Sequence, residues 1–163
     1  MSHARRRIRT LAIAGCLTAS AGTIAAGPVA SACASNASLK KVLETDLPKI
    51  LAEEAKFTGA LSEYEKTGDV STIDAALNSN IEIVLTTRSE IAAQKVLGKS
   101  FGIAKAKLEK ALARIIRAYR RLKVAFSVKH ADPRAAKREA KRAVSAITRA
   151  DRELLEATVL LGR

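Results

Sequence analysis

From Phe101 to Leu161, apolar side chains return every three or four positions, and this spacing is what most limits the fold. Phe101, Ala104, Leu108, Ala111, Ile115, Ala118, Leu122 and Phe126 make one stripe, widened by Leu112, Ile116 and Tyr119. Ala136, Ala140, Ala143, Ile147, Ala150, Leu154, Ala157 and Leu161 make a second. An amphipathic helix satisfies that period, whereas a strand needs alternation every two residues. Asp132-Pro133 separates the stripes as a cap residue followed by a proline at the first helical position. Small residues early in the fourth segment should let it approach its neighbour closely.

Two further helical segments precede these. The first runs from about Ser38 to Lys66 on Leu39, Leu43, Leu47, Ile50, Phe57, Leu61 and Tyr64, with a polar gap at Glu53-Glu54. Pro48 lies inside it and removes the hydrogen bond to Glu44, which predicts a kink or short break. Lys66-Thr67-Gly68-Asp69 is a turn. The second runs from about Ser71 to Leu97 on Ile73, Leu77, Ile81, Val84, Leu85, Ala92 and Val96. Ser71 and Asp74 resemble a capping box. Asn78-Ser79-Asn80 and Thr86-Thr87 have weak helix propensity and could interrupt it. Gly98-Lys99-Ser100 is the next turn. Each segment is about 27–29 residues, or roughly 40 Å at 1.5 Å per residue. Similar lengths and short turns predict an all-α fold, an up-down-up-down four-helix bundle. The alternative is two long helical hairpins that dimerise.

The N-terminus has a different character. Arg5, Arg6, Arg7 and Arg9 are followed by an apolar run from Leu11 to about Ala26, then Pro28 and the small residues Ala30-Ser31-Ala32-Cys33-Ala34. This is the layout of a bacterial-type export signal. Ala30-Ser31-Ala32 and Ala32-Cys33-Ala34 both suit a signal peptidase, which predicts a mature chain beginning between Cys33 and Ser35. Ala30-Ser31-Ala32-Cys33 also resembles a lipobox lacking its usual Leu, which makes Cys33 the candidate lipidation site. An uncleaved anchor is a third outcome, and a poor one, because Ala, Gly, Thr and Ser dilute the run. The expectation is residues 1–34 as signal peptide or lipoprotein signal and residues 35–163 as one helical domain. The domain would lie outside the cytoplasm, secreted or periplasmic, or lipid-anchored to the outer face of a membrane.

Charge is unevenly spread. Residues 35–98 hold 7 basic and 10 acidic side chains, a balance of −3, and residues 99–163 hold 18 and 6, a balance of +12. A positive field should therefore reach solvent from the second half. Both cysteines, Cys16 and Cys33, lie in the export segment, so the mature domain has neither a disulfide nor a thiolate site.

Catalytic and metal signatures are missing from the sequence. His130 sits alone before Asp132 and lacks the Glu-x-x-His element of bundle metal sites, and no haem attachment motif occurs. Glu153 and Glu156 each follow an arginine, Arg149 and Arg152, by four residues, which predicts surface ion pairs along the helix. Ser and Thr hydroxyls lack an activating partner. No enzyme activity, cofactor or metal is expected.

The basic stripes remain. Lys110, Arg114, Arg117 and Arg121 recur on the third segment, and Arg134, Arg138, Lys141, Arg149 and Arg152 on the fourth. Guanidinium groups engage phosphate and carboxylate through two prongs. The sequence thus predicts a non-enzymatic exported protein that binds an anionic polymer, an anionic lipid surface or an acidic protein through a basic face on helices three and four. Sequence-specific nucleic-acid reading is not expected, because no recognition motif occurs. The alternative function is an extracytoplasmic chaperone-like protein that shields unfolded clients. A homodimer is compatible with either.

Overall fold

A computed structural model describes residues 28–162, with side chains from residue 36 onward. The arginines at 5–9 and the apolar run at 11–26, which carry the export reading, lie outside the described residues. Of Cys33 only the helical backbone is described. The described residues form four helices and no strand: α1 (Pro28–Thr67), α2 (Ser71–Ala93), α3 (Lys99–Ser127) and α4 (Pro133–Leu161). None of them is long and apolar enough to cross a membrane.

Helix α1 starts ten residues before the expected Ser38, taking in part of the segment assigned to export. Pro48 does not break it. Both Pro48 and Glu44 are exposed, so the break in the hydrogen-bond ladder falls on the outer side of the helix. Helix α2 is likewise uninterrupted at the Asn and Thr clusters, because tertiary contact outweighs weak propensity there: Asn80 and Thr87 are fully buried against the rest of the protein. The expected capping box does not form. Val70 occupies the cap position without a side-chain bond. Instead the Asp69 carboxylate accepts from Ser71 N at 2.8 Å and from Ser71 Oγ at 2.7 Å. Gly68, at φ +74°, makes the tight exit from α1 that brings Asp69 there.

Helix α2 ends at Ala93, four residues before the expected Leu97. Its last carbonyls are taken by Lys105, whose Nζ donates to Ala92 O and Gln94 O at 2.7 Å each. The Asn36 amide then holds both backbone groups of Leu97, each at 3.1 Å. Helix α4 starts as expected, with the Asp132 carboxylate accepting from Ala135 N at 2.8 Å.

The buried core draws on all four helices, including Leu39, Ile50 and Phe57 of α1, Ile73, Leu77 and Val84 of α2, Leu108, Ile115 and Ile116 of α3, and Leu154 and Leu161 of α4. Leu85 and Ala92, expected on the apolar side of α2, are exposed, and Ile91 takes the core position instead. Consecutive helices meet in opposite chain order. Ser38 bonds Gln94 while Ser79 bonds Glu53, and Lys105 reaches the end of α2 while Lys123 reaches Asn78 and Asp74 near its start. Helices α1 and α3 meet in the same order, through Phe57 with Tyr119 and Tyr64 with Phe126.

Helices α3 and α4 pack most closely. Alanines recur every seven residues on both, at 104, 111, 118 and 125 and at 136, 143, 150 and 157, and all are buried. The cross-helix pairs Lys110–Glu153 and Arg121–Glu139 set a register that places Ala104, Ala111, Ala118 and Ala125 level with Ala157, Ala150, Ala143 and Ala136. Methyl against methyl allows a shorter interaxial distance than larger side chains do. Replacing Ala111 or Ala143 by Leu should therefore wedge the helices apart and cost about 1–3 kcal/mol in denaturant unfolding. The exposed Ala106→Leu should change stability by under about 0.5 kcal/mol.

Candidate anion-binding face

The alanine seam decides where the cations of α3 and α4 go. One flank of the seam faces the core and the other faces solvent. On the solvent flank Glu153 accepts from Arg114 Nε at 2.9 Å and pairs with Lys110 Nζ at 3.1 Å. Glu139 binds Arg121 at 2.9 Å and Arg142 at 2.5 Å. Glu156 pairs with Lys107. Burial works against the ionised forms of Glu139 and Glu153. The hydrogen bonds from Arg142 and Arg121, and from Arg114 and Lys110, outweigh it and hold both carboxyls below the usual range.

These pairs correct the expected ion pairing along α4. Arg149 and Arg152 bind neither Glu153 nor Glu156, because cations of α3 reach those carboxylates across the seam. The order Arg before Glu is also the weaker orientation for an i,i+4 pair. Lys110, Arg114 and Arg121, three of the nine predicted anion-binding residues, are thereby tied to glutamates. The other six, Arg117, Arg134, Arg138, Lys141, Arg149 and Arg152, are exposed. Among the described residues none of the six has an ion-pair partner.

Five of these six lie on the side of α4 opposite the alanines. Arg134, Arg138, Lys141, Ser145, Thr148 and Arg152 follow one another at alternating steps of four and three, which is a single outward ridge. Arg117 lies on α3. The two predicted stripes therefore do not merge into one free basic surface: most of the α3 stripe is neutralised, and the free charge belongs chiefly to α4. Lys107 and Arg142 take part in the ladder although the sequence did not single them out. Their signal was only their place beside the alanine stripe.

A second polar group lies at the polar gap Glu53-Glu54 of α1, where the sequence pointed to no chemistry. Glu54 of α1 accepts a hydrogen bond from Tyr119 Oη of α3 at 3.2 Å, and the charge of Asp151 on α4 reaches it. Burial pushes the Glu54 carboxyl up to about 7, against the opposing bond from Tyr119 and with help from Asp151. Burial also raises Asp151, whose Oδ1 has no hydrogen-bond partner among the described residues. Glu54 occupies a stripe position between Ile50 and Phe57, where the spacing calls for an apolar residue, and Asp151 lies beside the stripe residue Ala150.

No group of three or more His, Cys, Asp or Glu among the described residues is placed to hold a metal. His130 is exposed in the turn between α3 and α4. A shallow groove of about 420 Å³ between α1 and α2 is lined by residues including Lys49, Glu53, Ser79 and Glu82, and its Glu53 is already bonded to Lys56 and Ser79. Set against protein-family models, curated proteins and solved structures, the chain matches none.

The acid pair sets a pH dependence of known sign. A carboxyl whose folded pKa lies above its unfolded value favours folding when protonated, and that stabilisation is lost as pH rises from about 4.5 towards 7. Glu54→Gln should therefore gain stability relative to the parent at pH 8, on the order of 2 kcal/mol, and little at pH 4. Denaturant midpoints at the two pH values measure the difference.

Proposed function

We propose that this is an exported, non-enzymatic helical protein that binds anionic surfaces through the outward ridge of α4. We further propose that its helices form an up-down-up-down bundle, for which the opposite chain order of contacts between successive helices is the support. The observation that carries the functional reading is the row of exposed cations on α4 that have no acidic partner among the described residues. Surface cations that serve folding find carboxylates, as Lys110, Arg114 and Arg121 do. Arg134, Arg138, Lys141 and Arg152 are left to solvent although Glu139, Glu153 and Glu156 share their helix. Their forks and ammonium groups suit phosphate, sulfate or carboxylate groups arrayed along a polymer or surface. Export would place the ridge against envelope polymers, lipid head groups or extracellular nucleic acid.

Binding should weaken steeply with salt, because each phosphate neutralised releases counterions, with about 0.9 added to the log–log slope per contact on duplex DNA. Reversing Arg134, Arg138, Lys141 and Arg152 to Glu should abolish retention on immobilised heparin while helicity stays intact. Reversing Lys41, Lys66, Lys95 and Lys99, also exposed, changes net charge equally and should lower the eluting salt only slightly. Equal losses from the two sets would show that net charge alone is at work and would overturn the ridge as a site.

A further inference from the structure

The ridge does not end in charge. Past Arg152 its next positions, at the same steps of three and four, are Leu155 and Val159, and Val144 lies beside Lys141 and Thr148. These three aliphatic side chains are 59%, 50% and 39% exposed. On a helix with a well-filled inner stripe they are surplus to the core, and aliphatic groups add nothing to the binding of a soluble polyanion. We propose that the outward ridge of α4 docks flat on the surface of an anionic lipid bilayer, with Arg134, Arg138 and Lys141 at the phosphates and Leu155 and Val159 entering the head-group boundary. This rests on the ridge being an anion-binding face and names its partner.

Charge complementarity selects this occupant. A bilayer rewards cations and aliphatic groups on one helix face together, since affinity for an anionic interface grows with both buried apolar area and electrostatic attraction. Arginine and lysine stems can lie along the apolar boundary while their heads stay at the phosphates. A second copy of the chain fits poorly. Two α4 ridges placed face to face would oppose cations that have no acidic partner among the described residues, and like charges repel. The helix is 29 residues long, or about 43 Å, which is long enough for cations and aliphatic groups to contact one surface at once.

The protein contains no tryptophan, so one introduced residue reports its own surroundings in the full chain. The Leu155→Trp variant should show a blue-shifted emission with vesicles of phosphatidylglycerol and phosphatidylcholine in equal parts. Lipids brominated on the acyl chain should quench it. Leu85→Trp, on an exposed site of α2, should report neither change, even if another part of the chain holds the protein on the vesicle. Leu155→Trp with Arg134, Arg138 and Lys141 reversed to Glu should lose the shift. An unshifted Leu155→Trp alongside intact heparin binding would overturn the lipid proposal and leave the anion-binding reading standing. Loss of both would overturn both. A shift that grows with protein concentration in the absence of vesicles would assign the ridge to a second copy and overturn the proposal as well. So would an equal shift with phosphatidylcholine alone.

Discussion

Close approach of α3 and α4 through their alanines is the constraint on which the charge distribution depends. An alanine methyl removes little apolar area from water, so the seam gains less from hydrophobic transfer than a leucine zipper would. Its effect is geometric. Bringing the backbones together places side chains from the flanks of both helices within bonding reach, and Glu153 then finds Lys110 and Arg114 across the seam. Ala143 and Ala150 are each 0% exposed, so a larger side chain there has no room to turn outward. Exposed ion pairs contribute only tenths of a kcal/mol to about 1 kcal/mol each. Those beside the seam are partly shielded and share carboxylates, which favours a fixed register between the two helices more than it adds stability.

Against that tight pair, the contacts of α1 with its neighbours are more polar. Asp46 is 1% exposed, Asn80 0% and Thr87 1%. Asn80 Nδ2 donates to Glu53 O and Ala76 O, and Lys49 binds Asp46 at 2.7 Å. Yet Asp46 Oδ2, Asn80 Oδ1 and Thr87 Oγ1 have no partner among the described residues. Each such oxygen costs about 1–3 kcal/mol relative to one that is satisfied. With Glu54 and Asp151 added, the polar groups concentrate where α1 meets the rest of the protein. The α3–α4 pair carries fewer of these costs, and by this argument it is the more robust half of the fold.

The inner stripes of α3 and α4 were legible because their period is unbroken: every position from Ala104 to Leu161 that the spacing assigned inward is at least half-buried. The asparagines and threonines of α2 were not, since propensity measures a local preference and Asn80 is held by bonds to α1 and to its own helix. Leu85 is exposed and Ile91 buried, against the order the spacing predicts, because α2 carries apolar residues on more than one side and periodicity alone leaves its rotation undetermined. Glu54 looked like a gap in a stripe. What marks it as a buried acceptor is the bond from Tyr119 on another helix, which no local spacing carries.

The basic stripes show most clearly what pairing across helices adds to a linear pattern. By spacing alone, Arg114 and Arg138 are equivalent members of two similar rows. The seam separates them. Positions beside the alanines meet the opposite helix and its glutamates, while positions half a turn away are exposed among the described residues. The acids of α4 are engaged elsewhere: Glu139, Glu153 and Glu156 pair with Arg121, Lys110, Arg114 and Lys107 of α3, and Asp151 is half-buried. The outward ridge is then cationic because the fold has used the nearby carboxylates elsewhere. Any anion that binds there competes with water and small counterions, and no internal salt bridge has to break.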